Sequence, residues 1–172
     1  VLIGDYHGRK RSATIKSNPQ EQNPAKNKAS NFWKIGSIRM ENLQANLTLI
    51  QQRLAAASDG KYPVPKLIAV TKTHPAEDIL PLQNLGVTDI GENKVQEIME
   101  KLPALEKNFR IHLIGRLQSN KVKYIIDHVC LIHSVDRLSL AQEIDRQAQK
   151  HNRVMPVLIQ VSPCGEVQKG GL

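Results

Sequence analysis

A chain of 172 residues is long enough for one domain with a substantial core. No apolar run approaches the roughly 20 residues a membrane helix needs. An aromatic content of 3 % leaves little for the base-stacking platforms of single-stranded nucleic-acid binders. The net charge of +8 is uneven: residues 1–36 carry seven Lys/Arg against Asp5 and Glu21, so the body is only mildly basic.

Residues 1–36 are rich in Asn, Lys, Ser, Gln and Pro, without an apolar period, and are expected to form a disordered basic extension. They lack the apolar core of a secretory signal. Their diffuse basic cluster is the sole support for a nucleic-acid arm. The first methionine, Met40, heads the first helical pattern and is the expected start of the natural protein, with the folded domain over 37–172.

From Met40 the period is helical: Leu43, Leu47, Ile50 and Leu54 share a face, and Asp59-Gly60 ends the segment. Strands and helices then alternate. Leu67–Lys72 reads as a strand, and Pro75 with Glu77-Asp78 opens a helix that Pro81 kinks and Gly86 stops. Val87–Gly91 is a second strand, followed by a helix with Val95, Ile98, Met99 and Leu102 inward and Pro103 near its end. Ile111–Gly115 is a third strand, and Gln118-Ser119-Asn120 starts a helix through Val122, Ile125 and Ile126. Leu131–Ser134 is a fourth, followed by a helix burying Leu140, Ile144 and Ala148, and Val157–Val161 is a fifth.

Such alternation implies a parallel sheet with right-handed crossovers. Neither a dinucleotide fingerprint nor a P-loop is present. Polar residues gather just past strand ends, as in barrels that build their sites at the carboxyl face. The expected fold is therefore a (β/α)8 TIM-type barrel behind a leading helix. A complete barrel needs roughly 250 residues, so these five strands read as its first two-thirds. The chain alone is then expected to be poorly stable, with its last strand an exposed edge.

Lys72 closes the first strand. A strand-end lysine in a partly desolvated place has a lowered pKa, and its neutral amine attacks a carbonyl to form a Schiff base. The competing reading is a snorkelling side chain with its head in water. Asn93, after Gly91-Glu92, either donates to a ligand or caps the next helix; Glu92 reads as a structural ion-pair partner. His112 and His133 read as hydrogen-bonded core histidines more readily than as general acids. Ser134 and Asp136 end a strand and can cap a helix. Lys169, in the Gly165–Gly171 loop, either leans over the mouth to neutralise a phosphate or stays solvated. Cys130 and Cys164 show no metal-ligand spacing and fit a reducing, cytoplasmic compartment.

Five motifs in series extend the reading: Ala69-Val70-Thr71-Lys72-Thr73 before Pro75; Gly91-Glu92-Asn93 with Val95-Gln96-Glu97; His112-Leu113-Ile114-Gly115 with Leu117-Gln118-Ser119-Asn120-Lys121; Ile132-His133-Ser134-Val135-Asp136; and Gly165-Glu166 with Lys169. From about residue 38 onward the chain resembles the pyridoxal phosphate homeostasis protein family, known as YggS in bacteria and PROSC in animals. The resemblance implies a barrel like the N-terminal domain of alanine racemase, with pyridoxal 5′-phosphate carried on Lys72 as an internal aldimine. It implies binding and handing on of this cofactor, without established turnover, and partners that are the cofactor and the apoenzymes that accept it. The cofactor site so expected comprises Lys72, Asn93, Ser134 and Lys169, with no catalytic residue and no metal ligand.

Three departures accompany the resemblance. His74 stands where the family often has a second lysine, and Lys94 where a tyrosine often follows Gly-Glu-Asn. The family's phosphate cradle lies beyond the fifth strand and is not in this sequence, so the chain is expected to hold the cofactor weakly or not at all. A racemase-like enzyme using Lys72 is the alternative, but it needs a second acid/base, and neither Tyr62 nor Tyr124 falls at a strand end. A cofactor-free aldolase-like barrel is the weaker third reading.

Overall fold

The computed structural model describes residues 24–58, 60, 63–162 and 171, with side chains from Met40 onward. The chain divides into two compact units, one of residues 4–65 and one that takes in Lys66–Leu172. The first unit contains one helix, α1 (Pro24–Ala57). It begins well upstream of Met40. Residues 24–36, within the expected extension, belong to this helix. Ala25, Lys26, Lys28, Ala29 and Lys34 are good helix formers, and local propensity needs no apolar stripe. Residues 1–23 lie outside the described residues. Leu43, Leu47, Ile50 and Leu54 are half-buried while most positions between them are exposed, as the period predicts.

The second unit is a five-stranded parallel sheet, β1 (Ala69–Val70), β2 (Asp89–Glu92), β3 (Arg110–Leu113), β4 (Val129–Val135) and β5 (Val157–Ile159). Its spatial order follows the chain without reversal. An open doubly wound sheet reverses order at a switch point. An unreversed order with right-handed crossovers puts the helices on one face, the arrangement of a (β/α) barrel.

The connections follow local chemistry. Where a kink is expected at Pro81, the helix breaks into α2 (Ala76–Ile79) and α3 (Pro81–Asn84). Proline lacks an N–H and is preferred at the first position of a new helix. Gly86 follows at φ +78°, a conformation glycine adopts at low cost. Then α4 (Val95–Leu105) buries Ile98, Leu102 and Leu105. Met99 is exposed, contrary to expectation, and Leu105 takes its place because positions 98, 102 and 105 form one stripe. A 3-10 turn at Ser119–Lys121 leads into α5 (Val122–Ile125), and α6 (Leu138–Lys150) buries Leu140, Ile144 and Ala148.

Register divides the sheet's side chains. Ile90, Ile111, Leu113 and Ile132 join the helix residues Ile98, Ile125, Leu140 and Ile144 in one aliphatic core. Val70, Gly91 and His112, paired in register, share the opposite face. The side chains of β5 are exposed along its whole length.

Candidate functional site

Lys72 sits in a turn just past β1. The Thr71 N–H donates to the Gly91 carbonyl (3.0 Å), which ends the pairing, and the His74 N–H donates back to the Thr71 carbonyl (3.2 Å). Pro75 holds His74 to extended backbone and directs the chain away from the sheet. The strand therefore stops at Val70, and Lys72 is exposed rather than desolvated, which corrects the sequence expectation. Its amine has no hydrogen bond or ion pair among the described residues. Thr73 beside it has φ +66°, a left-handed conformation that β-branched residues seldom occupy. Its hydroxyl donates to the Lys72 carbonyl (2.6 Å).

A buried polar cluster underlies this turn. Glu92, at the end of β2, is 1 % exposed. Its Oε1 accepts from the Thr71 hydroxyl (2.6 Å) and from Lys101 Nζ (2.9 Å), while its Oε2 is buried without a partner. Glu92 is thus the ion-pair partner the sequence reading expects. Lys101 also donates to the Thr71 carbonyl (3.1 Å) and lies 3.5 Å from Glu97 Oε2. That oxygen accepts the Thr73 N–H (2.9 Å). The Thr73 N–H, aided by Lys101 and Lys94, holds the Glu97 carboxyl below its ordinary range.

A second chain of polar groups runs across β2, β3 and β4. Asp89 is 1 % exposed and meets His112 Nε2 (2.9 Å), and His112 Nδ1 meets His133 Nε2 (2.9 Å). A carboxylate only accepts, so the His112 Nε2–H donates to Asp89, and Nδ1 is left to accept from the His133 Nε2–H. Both histidines are thereby hydrogen-bonded, His112 buried and His133 half-buried. Burial, then the neighbouring His112, lowers the His133 pKa. The unfolded chain protonates first as pH falls, so stability present above about pH 6.5 is expected to drain away below it. Urea midpoints between pH 7.5 and 5.5 should show that slope, and His133→Gln should flatten it.

Asp89, His112 and Cys130 also bring one possible metal-ligand atom each within 4.8 Å. Three different strands supply them, so no local spacing betrays the group. Arg110 (2.6 Å) and Lys66 (3.6 Å) already neutralise Asp89, and Thr88 donates to its other oxygen. Burial raises the Cys130 thiol, favouring the protonated form that binds metal poorly. The cluster reads as a charge-balanced core element.

Farther along the carboxyl rim, Asn93 does not cap α4, whose N-cap is Lys94 with no side-chain cap bond. Asn93 lines an open cleft of about 920 Å³ together with Lys94, Arg116, Ser119, Lys121 and Arg137. Ser134 is buried, and its hydroxyl donates to the Gly115 carbonyl (2.5 Å). Asp136 is flanked by Arg137 and Arg116. Lys72, Asn93 and Ser134 thus fall on or just beyond β1, β2 and β4, though Lys72 does not line the cleft. Lys169 and Cys164 lie outside the described residues. Sequence reasoning gave no role to Lys101 or Glu97, although their i, i+4 spacing on a helix was a visible pairing signal.

A strand-sequential parallel sheet with helices between its strands places the domain in the (β/α)-barrel class. The chain belongs to the alanine racemase N-terminal domain family, whose model matches residues 38–165. It is 45 % identical over 133 residues to the pyridoxal phosphate homeostasis protein of Aquifex aeolicus, covering 77 % of this chain and 58 % of that protein. It is 36 % identical over 137 residues to the protein of the same name from Haemophilus influenzae, covering 76 % and 58 %. Among solved structures it is similar to PipY of Synechococcus elongatus PCC7942 with PLP bound, at 35 % identity and a TM-score of 0.59, covering 71 % of this chain and 57 % of that one. A protein from Bifidobacterium adolescentis gives a TM-score of 0.69 at 31 % identity, covering 78 % and 60 %. The chain spans 58 % of the length of the first two relatives. Among the described residues no helix is long and apolar enough to cross a membrane.

Proposed function

We propose that this chain binds pyridoxal 5′-phosphate through Lys72 and takes part in intracellular homeostasis of that cofactor, without turnover of its own. The observation that carries the reading is the Lys72 amine, exposed and unpartnered at the carboxyl end of β1. The donor set fits the group: a free amine for an aldehyde, with the Asn93 amide on the same rim for a polar ring substituent. When bound, pyridoxal phosphate supplies that reactive aldehyde. Lys72 would anchor it covalently, Asn93 and Ser134 would hold the rim in shape around it, and Lys169, outside the described residues, would supply a charge to neutralise the phosphate. The relatives' shared name and the PLP-bound PipY support the reading. PLP-dependent apoenzymes would be the recipients, and the setting cytoplasmic.

A racemase-like role needs a second acid/base facing Lys72. Tyr124 is a poor candidate: it lies on α5, half-exposed, with the Lys121 and Lys123 amines 5.5 and 4.9 Å from its ring centre. Visible spectroscopy tests the proposal. Added pyridoxal phosphate should give a protein-dependent visible band, and Lys72→Ala should lose it. No band with the unaltered protein would overturn the reading, and turnover of an amino acid by the loaded protein would favour the racemase-like alternative.

A further inference from the structure

The turn that carries Lys72 is held in a conformation its own sequence does not favour. Thr73, a β-branched residue, has φ +66°. Two groups of α4 grip the backbone on either side of Lys72. The Glu97 carboxylate takes the Thr73 N–H (2.9 Å), and the Lys101 ammonium takes the Thr71 carbonyl (3.1 Å). The two grips are tied together, since Lys101 lies 3.5 Å from Glu97 and 2.9 Å from the buried Glu92, which also receives the Thr71 hydroxyl. Lys94 approaches Glu97 from the other side (3.9 Å).

We infer that Glu97 and Lys101 are positioning residues for Lys72: they hold the strained turn so that its amine stays at the mouth of the sheet. The inference rests on the proposed role of Lys72. Without the carboxylate, the turn loses its anchor at the residue that most resists the geometry, and Thr73 relaxes toward extended backbone. Lys72 then samples many orientations, and covalent capture loses its preorganisation. A merely structural role for Glu97 would show itself in the melting temperature alone. A positioning pair shows itself at Thr73 and Lys72.

The test uses the full chain with Glu97→Ala and Glu97→Gln. Glutamine keeps an acceptor for the Thr73 N–H; alanine does not. Glu97 is on the flank of α4, and both variants are expected to fold with melting temperatures close to that of the parent. In Glu97→Ala the Thr73 amide should exchange with solvent about tenfold faster. Its Cα chemical shift should move away from the left-handed value, and apparent affinity for pyridoxal phosphate should fall about tenfold. Glu97→Gln should recover most of each effect. Unchanged Thr73 exchange in Glu97→Ala would overturn the inference whatever the affinity does, and so would faster exchange with unchanged affinity. If the unaltered protein gives no visible band, the cofactor reading fails by itself, and the exchange and chemical-shift measurements still decide whether Glu97 holds the turn. Should Glu97→Ala fail to fold, Glu97→Met, of similar volume and without an oxygen acceptor for the Thr73 N–H, takes its place, judged by the same amide.

Discussion

Lys101→Met is expected to lower the unfolding free energy by about 3–5 kcal/mol, the usual cost of removing one partner from a buried ion pair. The Lys101 side chain is 12 % exposed and that of Glu92 1 %, so solvent cannot replace the lost ammonium. Glu92 already carries one buried oxygen without a partner. After the substitution, its charge keeps only the Thr71 hydroxyl, and the Thr71 carbonyl loses a donor as well. The penalty therefore belongs to the stranded carboxylate more than to the pair. A double-mutant cycle separates the two. Glu92→Met with Lys101→Met removes both charges at similar volume and should recover most of the loss, as apolar replacements of buried pairs often do. Urea denaturation of the four proteins checks this. A double variant no more stable than Lys101→Met would mean that packing, rather than charge, holds this corner together.

How far the amino-acid sequence foretells this arrangement depends on the range of the forces involved. Local signals read well. The period of Leu140, Ile144 and Ala148 predicts α6, and Pro81 with Gly86 marks the interrupted connection between β1 and β2. Strand order also follows from alternation, because right-handed crossovers leave few options. Strand ends read poorly. Leu67–Lys72 looks like six residues of strand, yet only Ala69 and Val70 pair, since pairing depends on where β2 stops and on the turn before Pro75. Burial of charge reads worst. Glu92 and Lys101 are nine positions apart, and nothing local tells that a carboxylate at a strand end faces the helix layer rather than the mouth. Asp89, His112 and His133 likewise meet only through three-strand register. The motif reading singles out Lys72 but not the groups that grip its turn: the i, i+4 spacing of Glu97 and Lys101 signals their pairing, whereas the backbone atoms they hold carry no sequence signature.

Gly115→Ala is expected to destabilise the protein by about 3 kcal/mol, at the upper end for overpacking. A Cβ at residue 115 would lie 2.3 Å from the Asn93 carbonyl oxygen and 2.8 Å from its Cα. Both are backbone atoms, so no side-chain rotation relieves the clash. Gly91→Ala provides the contrast. There the added carbon meets the ends of the Ile114 and Ile68 side chains at 3.1–3.3 Å, which can shift by a few tenths of an ångström. Its cost should be clearly smaller. Gly115 is also held from the other side, where its carbonyl accepts the buried Ser134 hydroxyl at 2.5 Å. Retreat from Asn93 would disturb that bond, so the strain passes either to the Asn93 loop or to the junction of β3 and β4. Urea midpoints rank the two variants. Amide shifts then locate the displacement: movement at Asn93 and Lys94 with Ser134 unchanged would show that the loop after β2 yields first. In that case the carboxyl rim of the sheet deforms while its aliphatic core, centred on Ile90, Leu113 and Ile132, stays intact. Equal stabilities of the Gly115 and Gly91 variants would show instead that the Asn93 loop has slack the close approach conceals.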